Sequence, residues 1–218
     1  MKGLLKNNIY ATLSGAKILS IVMVLVGIFL ALVISPPLLT TFTVVGIISY
    51  SAFAVSVVKE EFTSKWGKYK LTLPVMRSEI IKSQFLNQLL WTAVGTLLPA
   101  AVTTLSWFLH GCPFDSPFDI VTTFVLGISL SLFMGAVYFP LFHLFFHTLG
   151  ADRGDFFMGL CLGCAFIFDC IIVSLVNRFI EPGLKNRLLG IVILLTVSIA
   201  AYALSYPLTV RIFKRREY

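Results

Sequence analysis

Apolar residues fill this chain in long blocks, and polar residues crowd into the short intervals between them. Six blocks stand out, at residues 18–35, 38–58, 84–109, 120–146, 156–176 and 188–210. Each is long enough for a helix rising about 1.5 Å per residue to cross roughly 30 Å of hydrocarbon. Forty-one residues in a row, 18–58, carry no charge at all. The pattern predicts an all-α polytopic membrane protein with six transmembrane helices, forming a single membrane domain over residues 1–218. Pro36-Pro37 is expected to close the first span with a tight turn, and HGCPFDSPFD links the third span to the fourth.

Ahead of the first block lies MKGLLKNNIYATLSGAK, residues 1–17. Leu5, Ile9, Leu13 and Ala16 recur at helical spacing, with Lys2, Lys6, Asn7 and Lys17 elsewhere on the wheel. The segment reads as an amphipathic helix lying in the interface, or else as a frayed tail whose lysines set topology. No small-residue cleavage site follows the first apolar block, so the first span is expected to be retained. Two small-residue patterns, Ser131-x-x-x-Gly135 and Gly159-x-x-x-Gly163 extended by Ala165, would let helices approach closely, within one bundle or between two.

Composition agrees with the pattern. Only 12% of residues are charged, against roughly a quarter in soluble domains. Charge placement adds an orientation. With the N-terminus inside, fourteen of the seventeen Lys and Arg lie on the inner side, and Arg178, Lys185 and Arg187 lie outside. Both termini are therefore expected in the cytoplasm. The same residues explain a net charge of +7 through topology and anionic lipid heads, with no nucleic-acid partner. Three of the four cysteines, Cys161, Cys164 and Cys170, fall inside the fifth block, where Cys is a small hydrophobe, and only Cys112 sits in a connecting segment.

Candidate chemistry is sparse. Asp169 is the only acidic or basic side chain deep inside a predicted span, within FIFDC. A carboxylate there is costly, which makes it a substrate or gating candidate; it could equally be protonated or hydrogen-bonded as glue between helices. His143 and His147 share a helix face at i, i+4, but two imidazoles without a third ligand make no metal site, and none is expected. The sequence has no Walker motif, phosphate-binding glycine loop or nucleophile–base pair, so ATP hydrolysis is not expected of this chain.

The interval at residues 59–79, KEEFTSKWGKYKLTLPVMRSE, stands apart because six of its first twelve residues are charged. Residues 59–69 can form a short helix that ends or bends near Leu73-Pro74, and residues 77–84 restart a helix leading into the third span. Trp66 and Tyr69 among lysines could dock a protein partner, or could simply belong to an interfacial aromatic and lysine belt. The run Glu60-Glu61, Lys65-Trp66-Gly67-Lys68-Tyr69, Leu71-Thr72-Leu73-Pro74-Val75, Arg77-Ser78-Glu79-Ile80-Ile81 and Phe85 resembles a signature of small bacterial ATP-binding-cassette transporter permeases. The length, the six spans and the amphipathic N-terminus are similar as well.

That resemblance implies a permease subunit of the type V exporter fold in the bacterial cytoplasmic membrane. It would pair with a second permease, identical or different, and rest on a separate cytoplasmic ATPase subunit. ATP and Mg would be held by that ATPase, with no cofactor on this chain. Residues 59–83 would supply the coupling segment, in which Trp66 and Tyr69 enter a groove on the ATPase. Glu60, Glu61 and Arg77 would pair with charges on the ATPase or the N-terminal helix, and Pro74 would fix the turn. The cargo implied is amphipathic: a peptide, an antimicrobial or a lipid-like molecule. The chain departs from larger members in its short last outer loop, residues 177–187, which leaves little room for a re-entrant segment. Two other readings remain at this stage: a membrane sensor or immunity-type binding protein without transport, and an ion-coupled carrier built on Asp169.

Overall fold

The computed structural model describes residues 2–32, 35–64, 76–111, 114, 116–149, 154–179 and 184–215, with side chains at 2, 62, 63, 117, 146–149, 154, 155, 176–179 and 184–187 outside the description. Among these residues all regular structure is helical. The helices are α1 (Lys2–Leu32), α2 (Pro36–Thr63), α3 (Arg77–His110), α4 (Pro117–Leu149), α5 (Gly154–Phe179) and α6 (Leu184–Arg215). All six are long and apolar enough to cross a membrane.

Three details differ from the expectation. First, residues 2–17 and the first apolar block form one unbroken helix of 31 residues, because no proline interrupts them. The fully buried stripe of its first half is Leu4, Asn8, Thr12 and Ala16, while Leu5, Ile9 and Leu13 are half-buried. Second, Pro36 and Pro37 open α2 instead of serving as a turn. Proline suits the first helical positions, where no N–H is needed, and Leu39 N–H closes the first turn onto the Ser35 carbonyl at 3.1 Å. Third, residues 59–63 continue α2 in place of starting a separate helix. At the far end of α3, Gly111 takes φ +81°, a left-handed geometry that suits glycine, and its N–H returns to the Trp107 carbonyl.

α3 lies at the centre, touching α1, α2, α4 and α6, whereas α5 packs mainly along α4. Asn8 of α1 meets Ser83 of α3, and His143 of α4 meets Gln84. The start of α1, the end of α2, the start of α3 and the ends of α4 and α6 thus gather at one end of the bundle. At the opposite end His110 bonds the Ala31 carbonyl at 3.1 Å. One core cluster centres on Phe85, Tyr138, Phe139 and Phe142 between α3, α4 and α6. The other lies between α1, α2 and α3, where the rings of Tyr50 and Trp91 stack at 6.2 Å.

The two small-residue patterns separate in the fold. A Cβ at Gly135 would overlap the Gln88 side chain, so this glycine lets α3 and α4 meet. Nothing lies within 4 Å of the Cβ positions of Gly159 and Gly163, which face away from the bundle. Pro140 also shapes the contact of α4 with α6. Its missing N–H leaves the Ala136 carbonyl without a helical donor, and the Ser205 hydroxyl of α6 donates to that carbonyl at 2.7 Å.

These contacts set two expectations, both measurable by thermal or denaturant unfolding of the purified protein in detergent. Gly135→Leu should destabilise the bundle by about 1–3 kcal/mol through overpacking, while Gly159→Leu should leave it unchanged. Ser205→Ala should cost about 1 kcal/mol, and much less in a Pro140→Ala background, where the residue 140 N–H can take the Ala136 carbonyl. Additive effects of the two substitutions would contradict the link between the proline and the serine.

Candidate functional site

The charged insert enters from α2 and leaves into α3, and its two feet are tied together. Glu61, in the last turn of α2, is only 6% exposed. A carboxylate this buried requires donors, and Gln84 Nε2 of α3 donates to its Oε2 at 3.3 Å. The same amide accepts from His143 Nε2 of α4, also at 3.3 Å. Because Gln84 Oε1 can only accept, this contact places the proton of His143 on Nε2. Phe213 of α6 meets the imidazole edge-on at 5.2 Å. One glutamine therefore joins the exit of α2, the entry of α3 and the end of α4, with α6 packed behind.

The other coupling candidates lie around this point. Glu60 is exposed beside Glu61. Arg77 begins α3 and is exposed; its Nη1 donates a long bond of 3.5 Å to the Lys214 carbonyl near the end of α6. Trp66, Tyr69 and Pro74 lie outside the described residues. Of the six coupling candidates, the structure thus brings Glu61 into a buried contact and sets Glu60 and Arg77 at the surface on either side.

Gln84 belongs to a polar spine that the reading of the sequence missed. Ser83, Gln84, Asn87, Gln88 and Thr92 are all buried on α3. Asn8 Nδ2 donates to Ser83 Oγ at 3.2 Å, and Asn87 Nδ2 donates to Thr12 Oγ1 at 3.1 Å, which fastens α1. Gln88, with no exposed surface, donates to Ser51 Oγ of α2 at 3.0 Å and to the Ser131 carbonyl of α4 at 2.9 Å. Its Oε1 accepts from the Tyr202 hydroxyl of α6 at 3.1 Å. Thr92 and Ser131 share a further hydroxyl contact at 2.8 Å. The signal was present: residues 83 and 87, and residues 84, 88 and 92, repeat at i, i+4 within an apolar helix. Their partners, on α1, α2, α4 and α6, lie far away in sequence.

Asp169 stands apart from this spine. It is 3% exposed, on the buried stripe of α5 with Cys161 and Ala165. Ser129 Oγ of α4 lies 2.7 Å from its Oδ2. Ser129 Oγ is also 3.0 Å from the Leu126 carbonyl of its own helix. The remaining carboxyl oxygen, Oδ1, has no hydrogen-bond partner among the described residues. The geometry is that of a tie between α4 and α5. The His147 side chain is outside the description, and among the described residues no three His, Cys, Asp or Glu side chains form a group that could hold a metal.

An interhelical hydrogen bond in a membrane is worth about 0.6 kcal/mol on average and at most about 1.7. Asp169→Leu should therefore lower unfolding stability by about 1 kcal/mol, with Asp169→Asn retaining most of it because the amide still reaches Ser129. Equal losses for the two substitutions would mean that packing, not the hydrogen bond, accounts for the conformation of Asp169.

Neither the curated proteins nor the solved structures yield a match to this chain. Residues 3–214, nearly its whole length, match the family described as ABC-2 family transporter protein. Six helices apolar and long enough to cross a membrane, in a sequence matched over nearly its whole length, place this multi-pass membrane protein in the ABC-2 transporter family, as a transmembrane permease subunit of an ATP-binding-cassette transporter.

Proposed function

We propose that the chain is the permease of an exporter whose ATPase is a separate subunit, docked on residues 59–79. Membership of the family supports the permease role. The observation that carries the coupling assignment is the Gln84 bridge: an insert pushed by a partner moves two helices at once, since Glu61 and Gln84 bind its feet together, and His143 passes the displacement to α4. A loop with unlinked feet would dissipate that push locally. The distribution of Lys and Arg supports a cytoplasmic insert and cytoplasmic termini in the bacterial cell membrane.

In this reading Trp66 and Tyr69 enter the ATPase groove, and Pro74 sets the turn between them and α3. Glu60 and Arg77 flank the dock as exposed charges. Two permeases pair around a shared cavity, which alternates its access when the ATPases close on ATP. The apolar, Phe-rich spans favour an amphipathic cargo. Asp169, buried in the seam of α4 with the peripheral α5, serves as a gating element in that movement.

Co-expression with ATP-binding-cassette ATPases of the same cell tests the docking. Trp66→Ala/Tyr69→Ala should weaken association by at least about thirtyfold, as expected for loss of an aromatic hot spot. Gln84→Leu should leave association intact and reduce stimulation of ATP hydrolysis. Full association and stimulation in the double variant would end the coupling assignment. If no ATPase associates, the sensor or immunity-type reading takes precedence. Transport by Asp169→Asn that is unchanged across pH would remove the ion-coupled carrier.

A further inference from the structure

The final turns of α6 carry a groove that the transport reading does not use. Tyr206, Pro207, Val210, Arg211, Lys214 and Arg215 line a space of about 400 Å³ open to the surroundings. Its inner half is apolar and built into the bundle. The Tyr206 ring meets Phe85 of α3 edge-on at 5.5 Å, and Val210 packs against the larger core cluster. Its outer part is lined by Arg211, Lys214 and Arg215, all exposed, which present their aliphatic stems to the groove.

The position of the groove along α6 narrows what can fill it. The apolar run of this helix ends at Val210, and Arg211 is its first charge after Arg187. The groove therefore straddles the level where hydrocarbon gives way to head groups, with Tyr206 at the depth favoured by interfacial aromatics. A ligand that satisfies both halves has an acyl chain below and a negative charge directly above. A soluble anion would leave the apolar half empty, and a cationic amphiphile would be repelled by the rim. We propose that this groove binds one anionic glycerophospholipid, its acyl chain along Tyr206, Pro207 and Val210 and its phosphate against Arg211, Lys214 and Arg215. Basic residues scattered at a membrane surface attract anionic lipids diffusely; here an apolar slot walled by the stems of three basic side chains gives the attraction a fixed place. The site is independent of docking by an ATPase.

Native mass spectrometry of the purified protein, in micelles containing equal amounts of phosphatidylglycerol and phosphatidylcholine, tests this. Wild type should retain phosphatidylglycerol selectively, and each of Arg211→Gln, Lys214→Gln and Arg215→Gln should lower retention by about fivefold. Pro207→Trp fills the slot at an exposed position without changing charge, and should lower retention to a similar degree. Equal retention of the two lipids by wild type would overturn the proposal. So would full retention by Pro207→Trp, since charge alone would then be responsible. Displacement of phosphatidylglycerol by millimolar inorganic phosphate would also overturn it, by showing that the rim binds phosphate without the chain.

Discussion

A primary amide buried in a membrane bundle has to find every partner within the protein, because lipid offers none. Gln88 meets that requirement through Ser51, Ser131 and Tyr202, so α2, α4 and α6 are held in register around α3. Apolar packing alone would not select this arrangement, since lipid tails are as apolar as leucine and let helices slide or rotate. The amide imposes a distance and a direction on each neighbour. Gly135 is then a geometric necessity, as any side chain there would occupy the space of the amide. Ser83 and Asn87 extend the same logic to α1. The fold is a polar spine with apolar helices fitted around it.

The rigidity that results is uneven. α2, α3, α4 and α6 are cross-linked at several depths, whereas α5 rests mainly on α4, through apolar packing and, among the described residues, one hydroxyl–carboxyl contact. A displacement entering at the feet of the 59–79 insert therefore meets a stiff inner group first. Among the described residues, the outer helix has the fewest polar ties to break. This difference in cross-linking supplies a physical basis for relative movement without any hinge in the chain.

Much of the fold was legible because hydrophobic blocks are a one-dimensional signal. The six helices follow from block length, and the entry of α3 at Arg77 followed from the proline placed just before it. What escaped depends on partners distant in sequence. Residues 2–17 read as a separate interfacial helix from the spacing of Leu5, Ile9, Leu13 and Ala16, whereas the face buried in the bundle includes Asn8 and Thr12, which are buried because Ser83 and Asn87 lie opposite. The α3 amides escaped for the same reason, being costly in lipid until a second helix is specified. The isolation of Asp169 in an apolar span was plain from sequence, whereas its bond to Ser129, forty positions away, was not. Glu61 was expected to pair with a charge on the ATPase or the N-terminal helix, and its burial against Gln84 requires the geometry of the helix pair.

The lengths of α1 and α3 have a consequence of their own. At 31 and 34 residues they extend about 46 Å and 51 Å, well beyond the roughly 30 Å of a hydrocarbon core. The surplus includes the end where Glu61, Gln84 and His143 meet. Bilayer thickness thus decides how deeply that cluster is immersed. In a thin membrane it stands among head groups and water, where the carboxylate is readily solvated; in a thick one it is drawn toward hydrocarbon and its hydrogen bonds tighten. The stiffness of the link between insert and spans is thereby a property of the host membrane as well as of the chain.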